Sequence, residues 1–289
     1  MASMIELIKE LRDRTGAGMM DCKKALEASN SDVERAIDWL REKGIAKAQA
    51  KASRIAAEGL AGVVVKGDVA IIAEVNCETD FVSKGEKFHK LVDDTMEATL
   101  KAGCKSVEEA KEVTKSLFTD ATVSMGEKLD YRRFDIVKKS ASQEFGSYIH
   151  MGGKIATLVL LEKADAELAK GLAMHIAANS PQYLSLDDVA PADVEHEKEV
   201  QLEAAKNDPK LAGKPAEMLA KIIDAKVTKY YSEMVLGSQA FLMDDSKTVA
   251  QVLKEKGINV LKFVRYQVGE GIEKRVDDFA SEVMSQVNQ

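Results

Sequence analysis

Aromatic residues are scarce in this chain: phenylalanine, tryptophan and tyrosine make up 5% of 289 residues, against 31% charged. That mix favours helices with solvated faces over a large β-sandwich. Cysteine is thin as well. Cys22, Cys77 and Cys104 are odd in number and have no CxxC spacing, which argues against a disulfide framework or a zinc site. No HExxH and no EF-hand loop occurs, so neither a metal nor a cofactor is expected. A basic excess is missing too. With 41 Lys and Arg against 48 Asp and Glu, the net charge of −7 is opposite to the field that a nucleic-acid binder needs. No apolar run approaches the ~20 residues that span a bilayer. The opening MASMIELIKELRDR lacks the apolar stretch of a signal peptide and is too acidic for a transit peptide. A cytoplasmic protein without membrane contact is expected.

What is present reads as an α+β chain of several parts, with a hydrophobic fraction of 45% that suffices for a core. Residues 1–45 predict a three-helix module. Ser3 and Glu6 make a capping box, Cys22, Ala25 and Leu26 share a stripe, and Ser31 with Glu34 announces a third helix that Gly44 should end. Residues 46–59, rich in alanine, predict a linker helix. From Leu60 the period changes to that of a β-hairpin around Gly67-Asp68, followed by two helices and a strand over Leu129 to Val137. Tyr148 to Leu161 starts the same pattern again, and Val260 to Val268 closes it. Residues 60–138 and 145–268 thus read as copies of one hairpin–helix–helix–strand unit. This assigns 60–140 to one half of a core and 141–185 with 237–270 to the other. Residues 186–236 read as an inserted helical hairpin, broken over Asn207 to Pro215, with Leu219, Ile223, Val227, Tyr230 and Met234 as the returning stripe. Residues 271–289 are expected to be a terminal helix.

Two segments stand out. Thr15 to Leu26, TGAGMMDCKKAL, puts consecutive methionines at a glycine-loosened helix start. The pair Met19 and Met20 suits a contact surface, because methionine repacks easily; equally, one of them can be buried and the other incidental. The glycines and lysines do not make a phosphate loop, since Gly16 and Gly18 are two apart and neither precedes a lysine. The second segment, Asn76 to Val82, runs an apolar strand into a polar turn carrying Phe81. Taken alone, Asp80 can be a simple helix cap and Phe81 a core residue. Cys77 could serve as a nucleophile with His89, His150 or His175 as base, although nothing pairs them and free cysteine usually fills core. His175 reads as a structural histidine, and His150, at a turn, as the histidine that touches a partner.

These two segments, with GSYIHMGGKIATLVLL, MHIAAN, SKTVAQVLKEKG and VRYQVGEGIEK further on, resemble the bacterial elongation factor Ts family over nearly the whole chain. The resemblance implies a nucleotide-exchange factor for the GTPase elongation factor Tu, with no covalent chemistry and no direct nucleotide binding. It implies that Arg12, Met19, Met20 and Lys23 touch the partner's nucleotide-binding domain. Thr79, Asp80, Phe81 and Val82 would enter beside the partner's magnesium site, with Phe81 as a wedge. Met125 and Gly126 would belong to the same half, and His150, Leu242 and Met243 to the half facing the partner's third domain. Met125 stands where members often carry isoleucine, and Leu242 where valine is common; both swaps keep apolar volume. The hairpin allows a dimer or a two-plus-two complex. Two other classes stay open on the residues alone: a helical adaptor built on the first module, and a Cys77-dependent hydrolase.

Overall fold

The computed structural model describes residues 3–208, 211 and 214–273. The terminal helix expected over 271–289 lies, from 274 onward, outside the described residues.

Three helices form first. Ser3 and Glu6 cap α1 (Met4–Thr15) reciprocally, with the Glu6 carboxylate accepting from the Ser3 N–H at 2.7 Å. They are followed by α2 (Met19–Ala28) and α3 (Val33–Lys51). Asp32, not Ser31, caps α3, its carboxylate accepting from the Arg35 N–H at 3.1 Å. Leu11, Cys22, Ala25, Leu26, Ala36 and Leu40 close a small core between them. Gly44 does not end α3. The glycine instead lets the helix press against α6 (Val107–Met125), where a β-carbon at position 44 would stand 2.5 Å from Val123 Cγ2. Residues 46–51, expected as a separate linker helix, are therefore the last turns of α3. Val123 of α6 joins the module's own core.

The rest is two antiparallel three-stranded sheets of one topology. In the first, β1 (Glu58–Lys66) and β2 (Val69–Cys77) form a hairpin. The chain then runs through α4 (Asp80–Ser83), α5 (Glu86–Ala102) and α6 before β3 (Leu129–Lys138) pairs with β2. In the second, β4 (Glu144–His150) and β5 (Ile155–Leu161) form the hairpin. The chain passes through α7 (Ala166–Asn179), two further helices α8 (Pro191–Lys206) and α9 (Ala216–Ser232), a small ribbon β6 (Ala240–Phe241) and β7 (Asp244–Thr248), and α10 (Val249–Lys256). It returns as β8 (Val260–Gln267) beside β5. The sequence repeat is thus a repeat of topology, and the class is α+β.

Side-chain alternation assigns the layers. On β2, Ile71, Ala73, Val75 and Cys77 meet α5 and α6, whereas Ala70 and Ile72 face the second sheet. On β5, Val159 and Leu161 meet α7 and α10, whereas Ala156, Leu158 and Leu160 face the first sheet. The two halves therefore pack sheet to sheet, each with helices outside. Glu74 lies on that inner face and is fully buried. A bulge between Glu74 and Val75 leaves Arg132 without a partner residue on β2, so two successive arginines reach one carboxylate. Arg132 Nη1 donates to Glu74 at 2.9 Å and Arg133 Nε at 2.6 Å; Asn76 and the Gly269 N–H, the latter just after β8, complete the shell.

The α8–α9 pair has a core of its own around Val189, Ile223, Val227 and Tyr231. Tyr231 turns inward and Tyr230 stays 43% exposed, because the buried stripe of α9 advances in steps of four from Leu219.

Gly44→Ala tests the close approach of α3 to α6. Helix propensity alone favours alanine by ~1 kcal/mol, but overpacking against Val123 costs about 1–3 kcal/mol. We expect a net loss of stability in urea unfolding, partly relieved by adding Val123→Ala. A more stable Gly44→Ala protein would mean that the helices are not in contact there.

Candidate partner-binding site

The segment after β2 forms one helical turn. Thr79 caps it, its Oγ1 accepting from the Val82 N–H at 3.3 Å, so Asp80 is the first helical residue and not the cap. The Asp80 carboxylate accepts from Lys84 Nζ at 2.6 Å, and that partner holds its pKa below the usual carboxylate range. Val82 packs against the first half's core and Ser83 is buried. The ~100° step between helical residues that brings those two inward sends Phe81 outward. Phe81 is 86% exposed.

The first module presents a second apolar pair. Cys22, Ala25 and Leu26 take the buried stripe of α2, which leaves Met19 and Met20 at the helix start 59% and 62% exposed. Lys23 is exposed beside Glu27 at 3.7 Å, and Arg12 is exposed in the last turn of α1. The loop preceding Met19 lies against the Phe81 half. Gly16, at φ +67°, has Lys87 Nζ 2.9 Å and Ser124 Cβ 3.3 Å from where a β-carbon would stand. Lys87 opens α5, just after the Phe81 turn, and Ser124 precedes Met125 and Gly126 at the end of α6. Lys47 Nζ also bonds Asp21 at 2.9 Å. Met125 is half-buried on the first half's core, whereas Gly126 is exposed. The α2 helix of Met19 and Met20 is thus joined to the α4 turn of Phe81 through α3, α6 and α5, each packed on the next.

His150, Leu242 and Met243 belong to the second half. His150 ends β4 half-buried, with Nδ1 3.3 Å from Tyr148 Oη. The turn after it is fastened to the first half, the Ala61 N–H donating to Gly153 O at 2.7 Å and Lys154 pairing with Glu58 at 2.6 Å. Leu242 and Met243 stand 47% and 50% exposed between β6 and β7. Helix α7 bridges the two places, its Ala169 backbone pressed on Gly146 of β4 and its Gly171 facing Phe241 and Met243. Buried His175 holds the Leu242 corner. Its Nδ1 lies 3.0 Å from Asn179 Nδ2 and accepts from the Leu242 N–H at 3.2 Å, while Nε2 meets Gln239 at 2.9 Å. Sequence reading missed the exposed residues flanking His150, Ile149 and Met151.

Cys77 is no nucleophile. It is buried, its thiol donates to Thr79 O at 3.2 Å, and burial with Glu127 nearby pushes its pKa up to about 12. The thiolate fraction near pH 7 is then on the order of 10⁻⁵. Among the described residues no helix is long and apolar enough to cross a membrane.

Phe81→Ala should change stability by less than about 0.5 kcal/mol, whereas Phe88→Ala, in the core of the same half, should cost about 3–5 kcal/mol. Equal losses for the two in urea unfolding would make Phe81 a packing residue. Burial lowers the pKa of His175 below 6.5. The unfolded chain therefore binds a proton first as pH falls, so His175 makes stability decline with acid below about pH 6.5. Urea midpoints of parent and His175→Gln between pH 7.5 and 5 should show a shallower slope in the variant; identical slopes would refute the assignment.

The model for the family described as Elongation factor TS matches residues 78–270. The chain is also 50% identical to Elongation factor Ts of Acholeplasma laidlawii (strain PG-8A), over 98% of each chain. A match across the Phe81 turn, the last strand of the first sheet, the whole second sheet and the α8–α9 insertion, with half of all residues shared with a relative along nearly its full length, shows that this chain belongs to the elongation factor Ts family.

Proposed function

We propose that this protein is a guanine-nucleotide exchange factor that binds elongation factor Tu carrying GDP and speeds GDP release in the cytoplasm, without a covalent step and without binding nucleotide itself. Besides the family, one observation carries the reading: Phe81, 86% exposed on a one-turn helix, is an aromatic side chain that the protein's own core does not use. A bound GDP of nanomolar affinity is held by ~12 kcal/mol, so it leaves slowly unless the site is deformed. Mg²⁺ in such a site demands near-octahedral oxygen geometry. Phe81 inserts beside that site with Asp80 and Val82, shifts the segment holding the metal, and strips the diphosphate of charge compensation. Factor and nucleotide then weaken each other reciprocally, and incoming GTP expels the factor.

The parts divide the work. The module over 1–45, through Arg12, Met19, Met20 and Lys23, grips the nucleotide-binding domain, and the half with Phe81, Met125 and Gly126 opens the site. The other half, through His150, Leu242 and Met243, holds a third domain. The insertion over 186–236 is an accessory, free to carry a second copy.

Stopped-flow release of a fluorescent GDP from elongation factor Tu tests this. The parent should accelerate release in a saturable way. Phe81→Ala should lower the plateau rate by about 30-fold, the scale of a ~2 kcal/mol hot spot, and Met19→Ala with Met20→Ala should chiefly raise the concentration needed to reach it. Full activity in Phe81→Ala would sink the wedge.

A further inference from the structure

We propose that Glu127 is the positioning residue for Phe81, fixing the turn on which Phe81 is carried; the inference rests on Phe81 being the exchange wedge. Helix α4 is a single turn of four residues, too short to hold its shape unaided. Glu127 supplies the missing constraint from across the fold. Its Oε2 accepts from the backbone N–H groups of Glu78 and Thr79 at 3.0 and 3.1 Å, and its Oε1 accepts from Thr79 Oγ1 at 2.6 Å. That same hydroxyl oxygen accepts from the Val82 N–H, so a relay of hydrogen bonds runs from Glu127 through Thr79 to the residue after Phe81. Bonds to an ionised carboxylate are shorter and about twice as strong as neutral ones.

The contact is returned. The Glu78 carboxylate accepts from the Lys128 N–H at 2.6 Å and pairs with Arg54 at 3.1 Å. Lys128 Nζ donates to the carbonyls of Ala52 and Arg54, both at 2.7 Å, and Lys51 Nζ donates to Gly126 O. The loop after α6, the Phe81 turn and the end of α3 are thus one clasp. None of Glu127, Glu78 or Lys128 needs to touch the partner for the clasp to act; they set where Phe81 stands relative to the module bearing Met19 and Met20.

Two measurements test this on the full chain. Hydrogen exchange reads the clasp without any partner. In Glu127→Ala the amides of Glu78, Thr79 and Val82 should exchange at least about 10-fold faster while those of α5 stay unchanged, and unchanged rates at the turn would overturn the proposal. Exchange kinetics then read the coupling. Glu127→Ala should lower the plateau of GDP release about 10-fold or more, with Glu127→Gln, which keeps one acceptor oxygen, in between. In a Phe81→Ala background the same change should have less than about a 2-fold effect, because Glu127 acts through Phe81. Multiplicative effects of the two substitutions would overturn the assignment. If Glu127→Ala does not fold, Glu127→Gln carries both measurements. A parent that fails to accelerate GDP release refutes the exchange reading instead, and the hydrogen-exchange result still decides the clasp.

Discussion

A single carboxylate at the meeting of the two sheets organises the core. Glu74 is fully buried, and an unpaired buried charge would cost several kcal/mol. It is tolerated because Arg132, Arg133, Asn76 and the Gly269 N–H all converge on it. The requirement is geometric as well as electrostatic. Adjacent residues of a regular strand point to opposite faces, and only the bulge on β3 lets two neighbouring arginines serve one acceptor. Because Gly269 follows β8, the same shell ties the second half to the first. Arg133 also lies over the Tyr266 ring at 4.3 Å, and the Tyr266 hydroxyl donates to Asp135 at 2.7 Å, so the junction is held by polar contacts of fixed direction as well as by apolar area. Replacing Glu74 by an apolar residue would remove the acceptor that Arg132 and Arg133 share.

With the halves locked, the apolar residues left outside acquire meaning. A large exposed side chain is ordinary when single, but Met19, Met20 and Phe81 stand on elements joined through α3, α6 and α5, and Ile149, Met151, Leu242 and Met243 are carried by the second half. Each is kept out of the core by a neighbour that takes the inward position: Cys22 and Leu26 on α2, Val82 and Ser83 on α4. The polar groups around them hold the backbone and not the exposed side chain. His175 holds Leu242 through its amide, Thr79 caps the turn of Phe81, and Asp32 and Lys47 hold the first module. A surface built in this way stays apolar toward a partner and rigid toward its own protein, which limits the ordering cost of association.

The family resemblance and the local patterns made much of this legible in the sequence. The capping box at Ser3, the turn at Gly67-Asp68, the buried runs of β2 and β5 and the repeated hairpin–helix–strand order are local signals, and they appear as elements where expected. Boundaries failed where a local signal served a distant contact. Gly44 looked like a helix end because glycine usually is one, yet here it exists for the approach of Val123, which is remote in sequence. Tyr230 and Tyr231 are adjacent, and only the packing of α9 on α8 decides which of them is inside. For the candidate site, the residue types at Met19, Met20, Asp80 and Phe81 were legible. The exposure of Phe81 was legible only through the resemblance, since a phenylalanine after a strand can by itself equally be core.

The sequence by itself determined the class, the order of the elements and the family, because these depend on periodicity, caps and turn residues that act within a few positions. Tertiary structure alone decided that Glu74 is buried with two arginines, that Cys77 is sealed from solvent, and that Glu127 bonds the turn carrying Phe81. Each of those facts joins residues dozens of positions apart. Charge pairing and burial depend on distance in space, and no periodic pattern along the chain encodes it.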